Sequence, residues 1–166
     1  MENLNAGQPS AYDIVFPVFG GKMADNGTIA LHEIYGTAFY IGNNFFVTCA
    51  HTIKAALEQG TIALGYQDYD GTLKLASVIQ TEIFDINDSG IIYAQIPRAI
   101  AYPWLKPKLA MLNDVVSTGY AYGFDKEHSE VLLRSIKGHI VLVGYNHKFH
   151  KKPHYELSFH VPRGQS

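Results

Sequence analysis

Three side chains of the types that cooperate in nucleophilic catalysis occur along this chain in the order histidine, aspartate and serine. His51 follows an apolar run, Asp88 precedes another, and Ser166 is the last of 166 residues, in the sequence Gly-Gln-Ser. Several hydrolases keep their nucleophile in a Gly-x-Ser sequence. An imidazole can take the proton of a hydroxyl group, and a carboxylate can orient that imidazole. If the fold brings these groups together, the chemistry they could perform is acyl transfer.

Each candidate also has a purely structural interpretation. An isolated histidine is most often a core residue with satisfied hydrogen bonds, and aspartates in loops rich in Asn and Asp commonly cap turns. Asp85, in the same Asp-Ile-Asn-Asp segment as Asp88, is a second candidate for the carboxylate. Cys49, close to His51 in the sequence, is predicted to be a small, buried hydrophobic residue and not a nucleophile.

A segment near the end of the chain is rich in histidine and lysine. Spacings of three and four could bring imidazoles together on a helix as metal ligands, but Pro153 and the alternation of aromatic residues favour a hairpin loop that enters a strand. We expect neither a metal nor a cofactor. The histidines concerned are His147, His150, His154 and His160.

Composition excludes several classes of function. The chain is 47% hydrophobic and 17% charged, which is an ordinary globular mixture. A net charge of −2 offers no basic surface for nucleic acid. The first ten residues lack the features of a signal peptide, and no stretch is long and apolar enough for a membrane helix, so no membrane partner is expected. A single cysteine excludes an internal disulfide and favours a cytoplasmic location.

The hydrophobic pattern is that of an all-β protein with short strands between Gly, Asn and Asp turns. Residues 53–59 are the one clear helical segment. A proline-rich stretch at 97–112 predicts a linker between a first barrel at 13–96 and a second unit at 113–166, after a tail at 1–12. Six strands should close the first barrel, at 13–20, 32–42, 45–50, 61–67, 73–84 and 90–96, and about three or four more should follow in 114–123, 130–145 and 155–163.

One stretch is specific enough to resemble a known family. The sequence GTAFYIGNNFFVTCAHT, residues 36–52, resembles the strand, hairpin and histidine motif of the chymotrypsin-like (trypsin-like) serine peptidases. Asp88 and the four residues after it, Ser-Gly-Ile-Ile, are similar to the aspartate motif of that family, and the final Gly-Gln-Ser is similar to its serine motif. The order of the three residues is also that of the family. Cys49 departs from the pattern, since most members have a small residue there.

The resemblance implies a double β-barrel and a role for each candidate. His51 would be the general base, Asp88 the residue that orients it, and Ser166 the nucleophile. The backbone N–H groups of Gly164 and Ser166 would form the oxyanion hole. The expected partner is a protein or peptide substrate, hydrolysed through an acyl-enzyme by an enzyme of the bacterial, intracellular type without disulfides.

In this family the chain continues well beyond the nucleophile, so the resemblance implies an incomplete second barrel here. We therefore expect a truncated or processed piece that is inactive alone. Its possible partners are the missing C-terminal half or a larger chain that carries sensor domains. The alternative is a pseudoprotease or regulatory domain that only binds a peptide or protein, for example by strand addition to an open barrel edge.

Overall fold

The computed structural model describes residues 10–25, 27–101, 109–125, 130–144 and 154–160, with the backbone alone at 121–125, 130 and 154. Some sequence predictions fall outside these ranges. Gly164 and Ser166 lie beyond the last described residue, and His147 and His150 lie in the gap between the last two ranges. The side chain of His154 is also outside the description, whereas His160 is described and exposed.

Six antiparallel strands close into a barrel in the order β1, β2, β3, β6, β5, β4. The prediction that six strands of the first half form one barrel is thus confirmed. Tight turns make the closure possible; between β2 and β3, for example, Gly42, Asn43 and Asn44 all have positive φ angles. The strands are β1 Val15–Met23, β2 Ile29–Gly42, β3 Phe45–Thr48, β4 Thr61–Gln67, β5 Leu73–Phe84 and β6 Ser89–Ala94.

The barrel interior is filled by aromatic and aliphatic side chains from alternate strand positions. Phe16 and Phe46 are fully buried, and their rings meet edge to face with centroids 5.2 Å apart. Leu64 of β4, next to β1, and Ile92 of β6, next to β3, are equally buried. Helix α1, Ala50–Leu57, closes one side and contributes Ile53 to the same core.

The second half forms an open three-stranded antiparallel sheet in the order β7, β8, β9. Tyr120 of β7 packs with Phe19 and Ile34 of the barrel, and its backbone N–H donates to Thr37 Oγ1 over 2.7 Å. The predicted all-β class, with a complete first barrel and a partial second unit, is confirmed. The strands are β7 Asp114–Asp125, β8 Glu130–Gly144 and β9 His154–Leu157.

Several predicted boundaries were wrong. Asp13 lies in a 3-10 turn, Ala11–Asp13, because its side chain and that of Ser10 form a capping box there, so β1 starts at Val15. Helix α1 begins at Ala50 and not at residue 53, and the side chain of Cys49 makes no capping hydrogen bond that would mark this start. The predicted strand at 155–163 ends at Leu157, and Ser158 and Phe159 form a bend.

Among the described residues, no helix combines the length and the apolar character that crossing a membrane would require.

Candidate active site

His51 lies in the first turn of α1, directly after the barrel strand β3. The strand ends at Thr48, and Cys49 keeps an extended backbone before the helix begins at Ala50. The sequence predicted His51 at a strand end, followed by a helical turn; the structure places it within the helix. In this position the backbone N–H of His51 is one of the first N–H groups of the helix, which have no acceptor inside it.

Asp88 lies directly before β6, the strand that pairs with β3, and its side chain contacts His51. It follows a 3-10 turn, Asp85–Asn87, and has a left-handed backbone with φ 47° and ψ 43°. Aspartate is among the few residues besides glycine that adopt this conformation readily. Strand β6 starts at the next residue and pairs with β3, with Gly90 opposite Thr48. This register brings the turn before β6 beside the start of α1.

Two hydrogen bonds join Asp88 to His51. The imidazole Nδ1 lies 2.7 Å from Asp88 Oδ2, and the backbone N–H of His51 donates to Oδ1 over 3.0 Å. An ionised carboxylate can only accept, so Nδ1 carries the hydrogen and Nε2 is left as an acceptor. The carboxylate also caps helix α1, a role that the side chain of Cys49 does not perform.

These contacts change the acidity of Asp88. Partial desolvation acts to raise its pKa, but the hydrogen bonds from the backbone and ring of His51 and the nearby charge of Lys54 prevail, so the pKa lies below the ordinary value. The ionised form is therefore favoured in the folded state. Its stabilising contribution is present above the ordinary carboxyl pKa and is lost as the pH falls through the lowered pKa.

The second candidate carboxylate, Asp85, makes a different contact. Its Oδ1 lies 2.5 Å from Lys54 Nζ, one helical turn after His51, in an exposed ion pair. The structure therefore brings Asp88 and not Asp85 against the imidazole of His51. The side chains of His51 and Asp88 are 57% and 54% exposed, so the pair is open to solvent and to a ligand.

A largely apolar cavity of about 540 Å³ adjoins the pair, at the seam between the barrel and β7. Cys49 lies in its wall, half-buried, so the prediction of a buried residue was wrong. Burial and the charge of Asp88 raise the pKa of the thiol, which makes it a weak nucleophile at neutral pH. Other wall residues are Val15, Phe39, Val47, Asp88 and Val116.

Sequence reasoning missed two features of this site. It did not anticipate that Lys54 would engage Asp85, although the spacing from His51 to Lys54 is one helical turn. It also did not predict that Cys49 lines the cavity. The position of Cys49 two residues before His51 could have indicated that it lies close to the site. Ser166 and Gly164 are outside the described residues, and their predicted roles stay predictions.

A closed six-stranded barrel followed by a second, partial sheet is the chymotrypsin-like arrangement. The serine endoprotease from Yersinia pestis shares it, with a TM-score of 0.65 and 13% identity over 96% of this chain and 52% of its own. The HtrA-type protease AlgW, in a structure with a decapeptide, has a TM-score of 0.66 and 12% identity over 94% of this chain and 51% of its own. At these identities the likeness establishes the fold.

This chain thus spans about half the length of both neighbours. No family model and no curated protein matches its sequence.

Proposed function

We propose that this protein is a serine endopeptidase that hydrolyses peptide bonds through His51, Asp88 and Ser166. The observation that carries the proposal is the double contact of Asp88 with His51, at 2.7 Å to the ring and 3.0 Å to the backbone. It fixes the tautomer that a general base requires. The fold shared with two serine proteases supports the same reaction class.

In this mechanism, Nε2 of His51 takes the proton of the Ser166 hydroxyl as its oxygen attacks the substrate carbonyl. The same nitrogen then returns that proton to the leaving amine. Asp88 holds the ring and stabilises the imidazolium. The N–H groups of Gly164 and Ser166 would stabilise the oxyanion by roughly 3 kcal/mol each.

A binding module without catalysis is the second candidate, and the open sheet favours it. In the described part of the chain, β9 pairs with β8 alone, whereas β7 pairs with β8 and also contacts the barrel through the N–H of Tyr120, which donates to Thr37 Oγ1. A strand that pairs on one side only can take up an extended peptide through main-chain hydrogen bonds. The exposed side chains Val116 of β7 and Tyr155 of β9 would add apolar contact.

Labelling with a fluorophosphonate probe separates the two functions, because the probe reacts with activated serines. Since the neighbours are about twice as long, labelling is measured on the 166-residue chain and on the longest natural form of the protein. We expect labelling of at least one of these forms, and we expect it to disappear in Ser166→Ala and His51→Ala. Ser77→Ala and His32→Ala, which change exposed residues away from the pair, serve as controls and should label normally.

Absence of labelling in both forms, with each shown to be folded by circular dichroism, would reject the peptidase and favour the binding module. Labelling that survives Ser166→Ala would also reject this assignment of the nucleophile.

A further inference from the structure

Three different metal-ligating groups converge at the junction of β3 and α1. The Sγ of Cys49, a ring nitrogen of His51 and a carboxylate oxygen of Asp88 all lie within 4.8 Å of one another. We infer that these three residues bind a thiophilic divalent cation, with Zn²⁺ as the preferred ion. Such a set of sulfur, nitrogen and oxygen donors is one that zinc accepts, with three protein ligands and one open position.

The chain supplies the ligands from two short and well-anchored segments. Cys49 is the extended residue before α1, and His51 lies in the first turn of the helix, so their separation is fixed by the strand-to-helix junction. Asp88 comes from the turn before β6, which the pairing of β6 with β3 holds in place. Cys49 and Asp88 also both line the cavity at the seam.

Admitting the ion requires the ligand atoms, which lie within 4.8 Å of one another, to adjust to the edges of a tetrahedral site. A tetrahedral site with bonds of about 2.0–2.1 Å to nitrogen and oxygen has an edge of roughly 3.3 Å. The distance from His51 Nδ1 to Asp88 Oδ2, 2.7 Å, must therefore increase slightly. Asp88 Oδ1 can keep its hydrogen bond from the backbone N–H of His51, which would orient the carboxylate as an outer-shell contact does in metal sites.

Access and charge are also suitable. The exposed fractions of His51 and Asp88, 57% and 54%, leave a path from solvent and a free fourth position for water. On binding through Nδ1 of His51, the proton of the Cys49 thiol passes to solvent, and the ring hydrogen of His51 moves from Nδ1 to Nε2 by exchange with water, so that the imidazole stays neutral. The thiolate and the carboxylate then together offset the two positive charges of the ion.

Binding at Nδ1 would have a direct consequence for catalysis, which rests on the proposed peptidase function. A neutral imidazole that coordinates a metal through Nδ1 carries its hydrogen on Nε2 and cannot accept a proton there. The ion would also take Asp88 away from its orienting role. Zinc would therefore act as a reversible inhibitor.

Co²⁺ is a suitable probe of the site, because a thiolate bound to it gives a charge-transfer absorption in the near ultraviolet. Cys49 is the only cysteine in the chain, so this band can report on no other residue. We expect a band that saturates at one Co²⁺ per chain in a phosphine-reduced sample and that Zn²⁺ displaces. Histidines elsewhere in the chain could bind Co²⁺ but would not produce the band.

Variants test each ligand. Cys49→Ala should abolish the band, and His51→Ala and Asp88→Asn should each weaken Co²⁺ binding by at least about tenfold, the lower end of the loss seen for outer-shell partners. Asp85→Asn is the matched control, since that carboxylate pairs with Lys54. It should leave the titration unchanged.

No thiolate band with folded protein would overturn the proposal, as would a band that His51→Ala and Asp88→Asn do not affect. These readouts need no enzymatic activity, so they stay decisive if the peptidase assignment fails. If fluorophosphonate labelling is observed, Zn²⁺ should suppress it in the parent protein and not in Cys49→Ala, with recovery on addition of a chelator.

Discussion

At the residue scale, Asp88 performs two tasks with one carboxylate. One oxygen contacts the ring of His51, and the other accepts from the backbone N–H of the same residue at the start of α1. The second contact alone would be an ordinary helix cap. The first adds the orientation of an imidazole, and the two together restrict both the helix end and the ring.

Asp88→Asn tests whether the ring contact serves catalysis. The amide keeps the shape of the side chain but can hold the imidazole in the wrong tautomer, so we expect the labelling or hydrolysis rate to fall by a factor on the order of 10⁴. Asp85→Asn, in the neighbouring ion pair with Lys54, should change the rate little. A rate for Asp88→Asn close to that of the parent protein would contradict the orienting role.

At the scale of elements, the position of the site depends on how closely α1 lies on β1. A Cβ atom added at Gly20 of β1 would lie 2.9 Å from the carbonyl oxygen of Ala56 and 3.0 Å from its Cα, both in the helix backbone. It would also lie 2.7 Å from the ring of Tyr35. Only glycine permits this approach of helix and strand.

Gly20→Ala should therefore push α1 away from the barrel. We expect a loss of about 1–3 kcal/mol in the free energy of unfolding, the usual range for overpacking, measured by denaturant titration. Lys22→Ala, at the exposed end of the same strand, is the control and should stay within about 0.5 kcal/mol. Equal stability of the two variants would show that the helix is less tightly seated than the structure indicates.

At the scale of the whole molecule, a buried hydrogen bond joins the barrel to the second sheet. Thr37 Oγ1 accepts from the backbone N–H of Tyr120 over 2.7 Å, and both residues are less than 10% exposed. The hydroxyl of Thr48 donates to the carbonyl of Thr37 in the same region. This seam also borders the cavity beside Asp88.

Thr37→Val removes the acceptor while keeping the volume, and leaves the N–H of Tyr120 buried without it. We expect the free energy of unfolding to fall by about 1–3 kcal/mol. Thr118→Val is the matched control, because its hydroxyl pairs with that of the exposed Ser135 and takes no part in the bond to Tyr120. A smaller effect at Thr37 than at Thr118 would mean that the seam is not held by this bond.

Some of the molecule could be predicted from local sequence. Alternating apolar residues and the Gly-Asn-Asn turn indicated β2 and β3, and the bounds of β4 and β5 were right at both ends. These features depend on neighbours in the chain, which the sequence displays directly. The start of α1 at Ala50 was not predicted, because Cys49 makes none of the side-chain capping hydrogen bonds that mark helix starts in a sequence.

The sequence alone identified His51 as a candidate base and left two candidate carboxylates, Asp85 and Asp88. Only the tertiary structure decided between their contacts, because that outcome depends on the register of β3 with β6, residues far apart in the chain. The tertiary structure also brings the thiol of Cys49 close to His51 and Asp88. Strand register is fixed by the closing of the whole barrel and its core, which no local pattern specifies.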